Sequence, residues 1–322
     1  MKHKLDLEVI ANKLTKEKLS LAKLGIGITE IRELKDRGYN VKSEAYNKTN
    51  HYWIKIMDND NHLIISPRKS VSSIIKFVEL SDIHAGCYTF DDKGLDWCLN
   101  EAKDRGFKHI HNSGDVVDGK DVYRGHVNYL KYVREEDQVK CIVDIIGKYQ
   151  DTFDWIAIDG NHDMSWINKG APSPNKLISK AVKNYTYLPG AGADKVVRGD
   201  LVIDGVMKRM VHPWSNSGRG TYAKSYPGQV YLRNLMDNNV QFEIGNKKYH
   251  LSLLQYGHLH FDMMYQTFGV IVTHPMSFQK PNDFTEGKGI VGPRGCRLTE
   301  LVIHDGDILE HKSESLNVPE NL

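Results

Sequence analysis

The sequence predicts an α/β protein, and three observations carry that expectation. Beyond Ser73, short apolar runs alternate with stretches whose apolar residues recur at helical spacing. Several of the apolar runs end in polar clusters of Asp, Asn, Gly and His. With 322 residues, 40% hydrophobic and 26% charged, the composition is that of an ordinary globular chain and excludes a disordered or fibrous protein.

The first 68 residues read as a separate domain. Leu19, Leu21, Ala22 and Leu24 predict a helix over 16–24, and Ile31, Leu34 and Tyr39 predict a second over 29–37. Gly25 and Gly27 break the chain between them, and Gly38 stops the second helix as a C-cap glycine does. Two strands follow, at 41–46 and 51–57 around a turn at 47–50, and a third at 63–66. Helix, turn, helix and hairpin in this order resemble a winged helix-turn-helix, which implies a grip on DNA. The twelve basic against nine acidic residues over 1–67 are a weak excess for that role. A small α+β cap that covers substrate or joins two copies into a homodimer is the alternative. Residues 67–70 form a linker, so the second domain runs over 69–322.

In that second domain the elements follow in order. Ile74 to Leu80 is an apolar strand, Leu95, Leu99 and Ala102 mark a helix, and 107–111 is the next strand. Val139, Ile142, Ile145 and Ile146 mark another helix before a strand at 153–158. Later segments, 195–211 and 269–309, are shorter strands with hairpin turns at Asp204-Gly205 and Asp305-Gly306.

Charge and cysteine content narrow the classes. Forty-three basic against forty-one acidic residues leave a net charge of +2, which excludes a wholly basic nucleic-acid coat protein. No stretch reaches the ~20 apolar residues of a membrane span, so no membrane partner is expected. The charged N-terminus lacks an apolar signal core. Cys87, Cys98, Cys141 and Cys296 form no C-x-x-C pair and read as reduced thiols of a cytoplasmic protein.

Five polar clusters stand at strand ends: Asp82-Ile-His84, Gly114-Asp115-Val-Val-Asp118, Gly160-Asn161-His162-Asp163, His212-Pro213 and Gly257-His258-Leu-His260. Ligands of open α/β sheets bind outside the carboxyl ends of strands. Carboxylates with imidazoles and no thiolate suit borderline or hard divalent ions. The donors are too many for one ion and enough for two that share a carboxylate, the arrangement that clamps both oxygens of a phosphoryl displacement.

Together these motifs resemble the calcineurin-like metallophosphoesterase superfamily, over roughly residues 77–309. The resemblance implies a four-layer αββα sandwich of two mixed sheets. It also implies that Asp82, His84 and His260 hold one metal, that Asn161, His212 and His258 hold the other, and that Asp115 bridges them. Two divalent ions follow, Mn²⁺ foremost, with Fe, Zn, Ni or Mg as alternatives. His162 is similar to the family histidine that is not a ligand; it can protonate the leaving alkoxide, oriented by Asp163. Asp118 reads as a supporting or turn residue. Many phosphatases of the superfamily carry Arg after Gly-Asp-x-x-Asp, and Gly119 stands here, which leans towards the nuclease and nucleotide branches.

Arg124 in the Tyr123-Arg-Gly-His126 stretch is a candidate phosphate contact, as is Arg219 in the loop after His212; Tyr222 and Tyr226 are candidates to stack on a base. His109, His111 and His274 read as structural. The leading expectation is a DNA nuclease or DNA-end phosphoesterase. The alternative is a phosphatase or a small-molecule or cyclic-nucleotide phosphodiesterase.

Overall fold

The computed structural model describes residues 19–20, 41–46, 49–54, 56–57, 63–65, 72–190, 196–214, 223–244, 247–287, 289 and 291–322. The N-terminal segment contributes β1 (Leu19–Ser20), β2 (Val41–Tyr46), β3 (Thr49–Ile54), β4 (Ile56–Met57) and β5 (Leu63–Ile65). β2 and β3 form the expected hairpin, with Val41 opposite Ile54 and Tyr46 opposite Thr49. Leu19 and Ser20 fall inside the first expected helix, yet they are extended and pair with Tyr52 and His51. The rest of the expected helix-turn-helix lies outside the described residues.

Four parallel strands, β6 (Ser73–Leu80), β7 (His109–Asn112), β8 (Asp154–Ala157) and β9 (Tyr185–Tyr187), build one half of the fold beyond residue 72. Seven more strands follow: β10 (Val196–Ile203), β11 (Val206–Pro213), β12 (Phe242–Ile244), β13 (Lys247–Tyr249), β14 (Leu251–Tyr256), β15 (Met263–Thr267) and β16 (Val270–His274). The long hairpin of β17 (Gly295–His304) and β18 (Asp307–Asn317) ends the domain. It adds antiparallel strands to the first sheet, giving the order β18-β17-β6-β7-β8-β9. The second sheet runs β15-β16-β14-β11-β10-β5-β4, so β5 of the N-terminal segment lies parallel to β10, Leu63 opposite Leu201.

Local chemistry explains the joints. Asp204-Gly205 and Asp305-Gly306 both have positive φ at each residue, the twist a two-residue hairpin turn needs. Helix α1 (Asp92–Asp104) starts where Asp91 accepts the Gly94 N–H at 3.3 Å. Helices α2 (Glu135–Ile146), α3 (Asn161–Ile167), α4 (Pro174–Ala181), α5 (Tyr226–Asp237) and α6 (Asp283–Gly287) follow; α4 has Ser173 as its N-cap and Pro174 in its first turn.

The packing has four layers. Leu95, Leu99, Ile142, Ile146 and Ile178 of α1, α2 and α4 pack on Val78, Leu80, Ile110 and Trp155 of the first sheet. Phe77, Ile156, Leu301 and Ile303 meet Leu201, Met210 and Leu253 between the sheets. On the far face Leu232 of α5 covers Leu254 and Val272. These are the two mixed sheets flanked by helices that the sequence led us to expect. Among the described residues, no helix is long and apolar enough to cross a membrane.

A buried polar bridge pins one sheet to the other. Lys208 on β11 is wholly buried; it donates to Glu79 Oε1 on β6 at 2.7 Å and lies 4.1 Å from the Phe77 ring centroid. Thr273 and Thr299 donate to the same carboxylate, so its charge is compensated on all sides. Gln255 on β14 reaches across to the carbonyls of Leu80 and His111 at 2.8 and 2.9 Å. The ends of β6, β7, β11 and β14 are therefore held at one edge, and the polar clusters meet there.

Candidate metal centre

Asp82 and His84 follow β6, Asp115 follows β7, Asn161 opens α3 after β8, His212 lies near the end of β11, and His258 and His260 follow β14. Asp82, His84, Asp115, His258 and His260 all have φ between 53° and 77°. Non-glycine residues rarely adopt this left-handed region, and it costs of order 1–3 kcal/mol each where strain collects at functional sites. Five such residues where the strand ends of the two sheets meet mark backbone bent to aim side chains at a common point.

Three groups of donors converge among the described residues; His84, Asp118 and His162 form one, and the expected ligands form the other two triads. Asp82, His84 and His260 offer ligand atoms within 4.8 Å of one another, as do Asp115, His212 and His258. His260 Nε2 lies 3.3 Å from Asp82 Oδ1 and 3.1 Å from His84 Nε2. Asn161 Oδ1 lies 3.0 Å from His212 Nε2 and 2.8 Å from His258 Nδ1. Asp115 Oδ2 stands between, 3.0 Å from His212 Nε2 and 4.0 Å from His84 Nε2.

The other ring nitrogens decide what these atoms can do. His84 donates Nδ1–H to Asp118 Oδ1 at 2.8 Å, and His212 donates Nδ1–H to the Ser113 carbonyl at 2.7 Å. Once its second proton leaves, each ring turns a bare Nε2 lone pair into the site, the arrangement carboxylates and carbonyls impose on metal-binding histidines. His212 Nε2 so faces Asp115 Oδ2, a buried oxygen that has no hydrogen-bond partner among the described residues. At such distances the facing atoms must share a proton or a metal ion, and this donor set fits divalent metal.

The electrostatics show the same groups holding positive charge as protons. Burial works to raise the Asp82 and Asp115 pKa values, but the imidazoles of His260 and His212 beside them outweigh it and hold both carboxyls below the ordinary range. Burial works to lower the His84 and His212 values; Asp118 and Asp115 respectively overcome it, holding His84 at about 8 and His212 at about 9. Burial pushes His258 down to about 3, with the His212 charge adding to it. The buried carboxylates thus hold positive charge in the pocket, as protons on His84 and His212 that a divalent ion would displace.

His162 lies beside both triads, its ring edge-on to His84 with centroids 4.5 Å apart. Burial lowers its pKa to about 4. The sequence led us to expect Asp163 to orient this ring, and the structure corrects that. The Asp163 carboxylate accepts the backbone N–H groups of Gly160, Val116 and Val117 at 2.8, 3.2 and 3.1 Å. As the third residue of α3 it folds back on the helix start and ties it to the loop after β7. The acceptor for His162 Nδ1–H is the Asp118 carbonyl, at 2.6 Å.

Asp118 is a hub: its carboxylate receives His84 on one oxygen and His126 Nε2–H on the other, at 3.0 Å. His126, which the sequence places in a basic loop, is buried. The only sequence signal for this pair was Asp118 at the end of Gly-Asp-x-x-Asp. Gly119 has φ +73°, and a Cβ there would collide with the His162 carbonyl and with Ser165 Oγ. Here the residue after the motif is therefore restricted by space as well as by chemistry.

Arg124 is exposed, on the loop that carries His126. Arg219 and Tyr222 lie outside the described residues. Tyr226, partly exposed, opens α5. His274 is buried among Tyr256, Phe261 and Tyr265, and His111 contacts Lys208 at 3.1 Å.

No family model matches the chain, and no curated protein does. Among solved structures, the chain is similar to an archaeal phosphodiesterase at 13% identity, covering 75% of this chain and 100% of the other, with a TM-score of 0.38. The phosphoesterase Yfce from E. coli is similar at 15% identity, with 76% and 100% covered and a TM-score of 0.37. Vps29 complexed with zinc, from Entamoeba histolytica, is similar at 11% identity, with 76% and 100% covered and a TM-score of 0.36.

Proposed function

We propose that the protein is a dinuclear-metal phosphoesterase acting on DNA, as a nuclease or DNA-end phosphoesterase. The observation that carries the reading is the buried convergence of Asp115 Oδ2 with His212 Nε2, and of His84 Nε2 with His260 Nε2, donors that a proton or a divalent ion must bridge. Asp82, His84 and His260 would hold one divalent ion, Asn161, His212 and His258 a second, with Asp115 shared; Mn²⁺ is foremost, and Fe, Zn, Ni or Mg suit the same donors. When bound, such ions polarise a phosphoryl oxygen and lower the pKa of water from about 15.7 towards about 7.

The chain's own residues do the remaining work. Asp118 and Ser113 fix the ring tautomers of His84 and His212, so both rings enter the site already aimed. His162, with Nδ1–H held by the Asp118 carbonyl, turns Nε2 towards the departing oxygen and donates a proton there as the imidazolium, the form that the negative charge of a bound phosphoester favours. Arg124 on the neighbouring loop is the candidate contact for a flanking phosphate.

DNA as substrate rests on the resemblance of residues 1–68 to a winged helix. One observation favours the second reading, a phosphatase or small-molecule phosphodiesterase with this segment as a cap. β5 is an added strand of the seven-stranded sheet, which ties the segment into the second domain.

The test uses the full chain with Mn²⁺, on single-stranded DNA, duplex DNA, mononucleotides and a bis-nitrophenyl phosphate, with metal content measured in parallel. Bound metal with polymer hydrolysis is the expected result. Hydrolysis of the aryl ester and mononucleotides alone establishes the second reading, and no metal with no hydrolysis overturns both. For the N-terminal grip, Arg32→Ala, Lys35→Ala and Arg37→Ala should each flatten the slope of log K against log salt by about 0.9 per lost phosphate contact. Deleting residues 1–68 is a poorer test, because it strips β5 from the sheet.

A further inference from the structure

Resting on the phosphoesterase reading, we infer that the tyrosine-bearing rim beside the metal centre is a stacking platform for unpaired nucleobases, which makes single-stranded nucleic acid the polymer this site takes. The rim joins the site through a continuous run of rings. His84 meets His162 at 4.5 Å between centroids, His162 meets His126 at 5.4 Å, His126 meets Tyr123 at 4.6 Å, and Tyr123 meets Tyr129 at 6.4 Å.

A second strand of chain closes the rim from the other side. Tyr88, four residues beyond His84, is 70% exposed, and its N–H bonds the Tyr129 carbonyl at 3.0 Å. Cys87 and Leu130 form an antiparallel bridge, and the N–H groups of Lys131 and Tyr132 both bond the Gly86 carbonyl, at 2.9 and 3.0 Å. The exposed aromatic is therefore carried on backbone fixed to the loop after β6, and stacking against it costs little ordering.

Charge complements the rings. The Lys131 Nζ stands 5.4 Å from the centre of the Tyr132 ring, and Arg124 is exposed beside Tyr123. Among the described residues neither cation is ion-paired, whereas Lys169 on the same side is taken by Asp121. A lone exposed tyrosine is ordinary surface. Several tyrosines with exposed cations on one bridged rim, reaching a buried candidate ligand, form the pairing that holds single strands, with bases on aromatic faces and phosphates on cations. A duplex keeps its bases stacked on one another and has no open face to offer.

The experiment uses the full-length protein with Mn²⁺, a short labelled oligothymidylate, the same strand annealed as duplex, and the bis-nitrophenyl ester. Strand binding is also read by fluorescence anisotropy, independently of turnover. Tyr88→Ala should raise Kd and KM for the single strand about five- to a hundred-fold, the range for one stacked base. The loss of kcat/KM on the strand should exceed any loss on the base-free ester by the same factor, and Tyr88→Trp should restore it. An equal loss on both substrates, an equal loss on duplex, no loss at all, or failure of Trp to restore would each overturn the platform. So would wild-type protein that binds no single strand. If that protein still hydrolyses the aryl ester, the phosphoesterase reading stands without the platform. If it binds the strand through Tyr88 yet holds no metal and hydrolyses nothing, the platform stands and the phosphoesterase reading fails.

Discussion

His126 donates its Nε2–H to Asp118 Oδ2 at 3.0 Å, while its own Nδ1 accepts the Val122 N–H at 3.3 Å. The other Asp118 oxygen takes His84 Nδ1–H. One buried carboxylate thus aims a candidate ligand and is itself held by a second imidazole that reaches no metal position. His126→Phe keeps a ring against Tyr123 and His162 but removes the hydrogen bond. Its metal affinity should fall about 10- to 100-fold, as for other groups that orient ligands. Competition against a chromophoric chelator measures this, and an unchanged affinity would show that Asp118 needs no support.

Asp115→Asn should lose activity by several orders of magnitude and lose bound metal, because a neutral amide cannot offset two dications. Metal analysis beside turnover decides it. Two tightly held ions with near-normal turnover would remove Asp115 from the bridging position.

His162→Ala should keep its metals, since the triads close without it, and lower kcat about 10²- to 10⁴-fold on esters with poor leaving groups. Nitrophenyl esters need little protonation on departure and should lose less. A uniform loss across leaving groups would assign His162 to charge positioning instead.

Gly119→Ala places a methyl group against the His162 carbonyl at φ +73°. The cost should be about 1–3 kcal/mol, the range for a residue forced into the left-handed region. Urea unfolding reads the stability, and kcat should fall with it because the loop that moves carries the Asp118 carbonyl.

Lys208→Met leaves the Glu79 carboxylate buried without its cation, which should cost about 3–5 kcal/mol. The double variant Lys208→Met/Glu79→Gln should recover most of that loss, because no charge is then stranded between the sheets. Equal unfolding midpoints for single and double variants would contradict the pairing.

What could be read from the chain alone was whatever depends on near neighbours. The helical spacing of Leu95, Leu99 and Ala102, the strand ending at Leu80 and the two Asp-Gly turns are local patterns, and each matches an element or turn of the fold. The donor residues were legible because chemistry selects their types and strand ends select their places. The tertiary structure alone decided which atoms meet. His84 and His260, 176 residues apart, come within 3.1 Å only because β6 and β14 belong to different sheets held together by Lys208, Glu79 and Gln255. Asp163 looked like the partner of its sequence neighbour His162. Helix geometry turned it back to the Gly160 N–H, while His126 was drawn from an apparently polar loop into a buried pair with Asp118. Hydrogen bonds between distant segments choose partners by distance and angle in three dimensions, and no spacing along the chain encodes that choice.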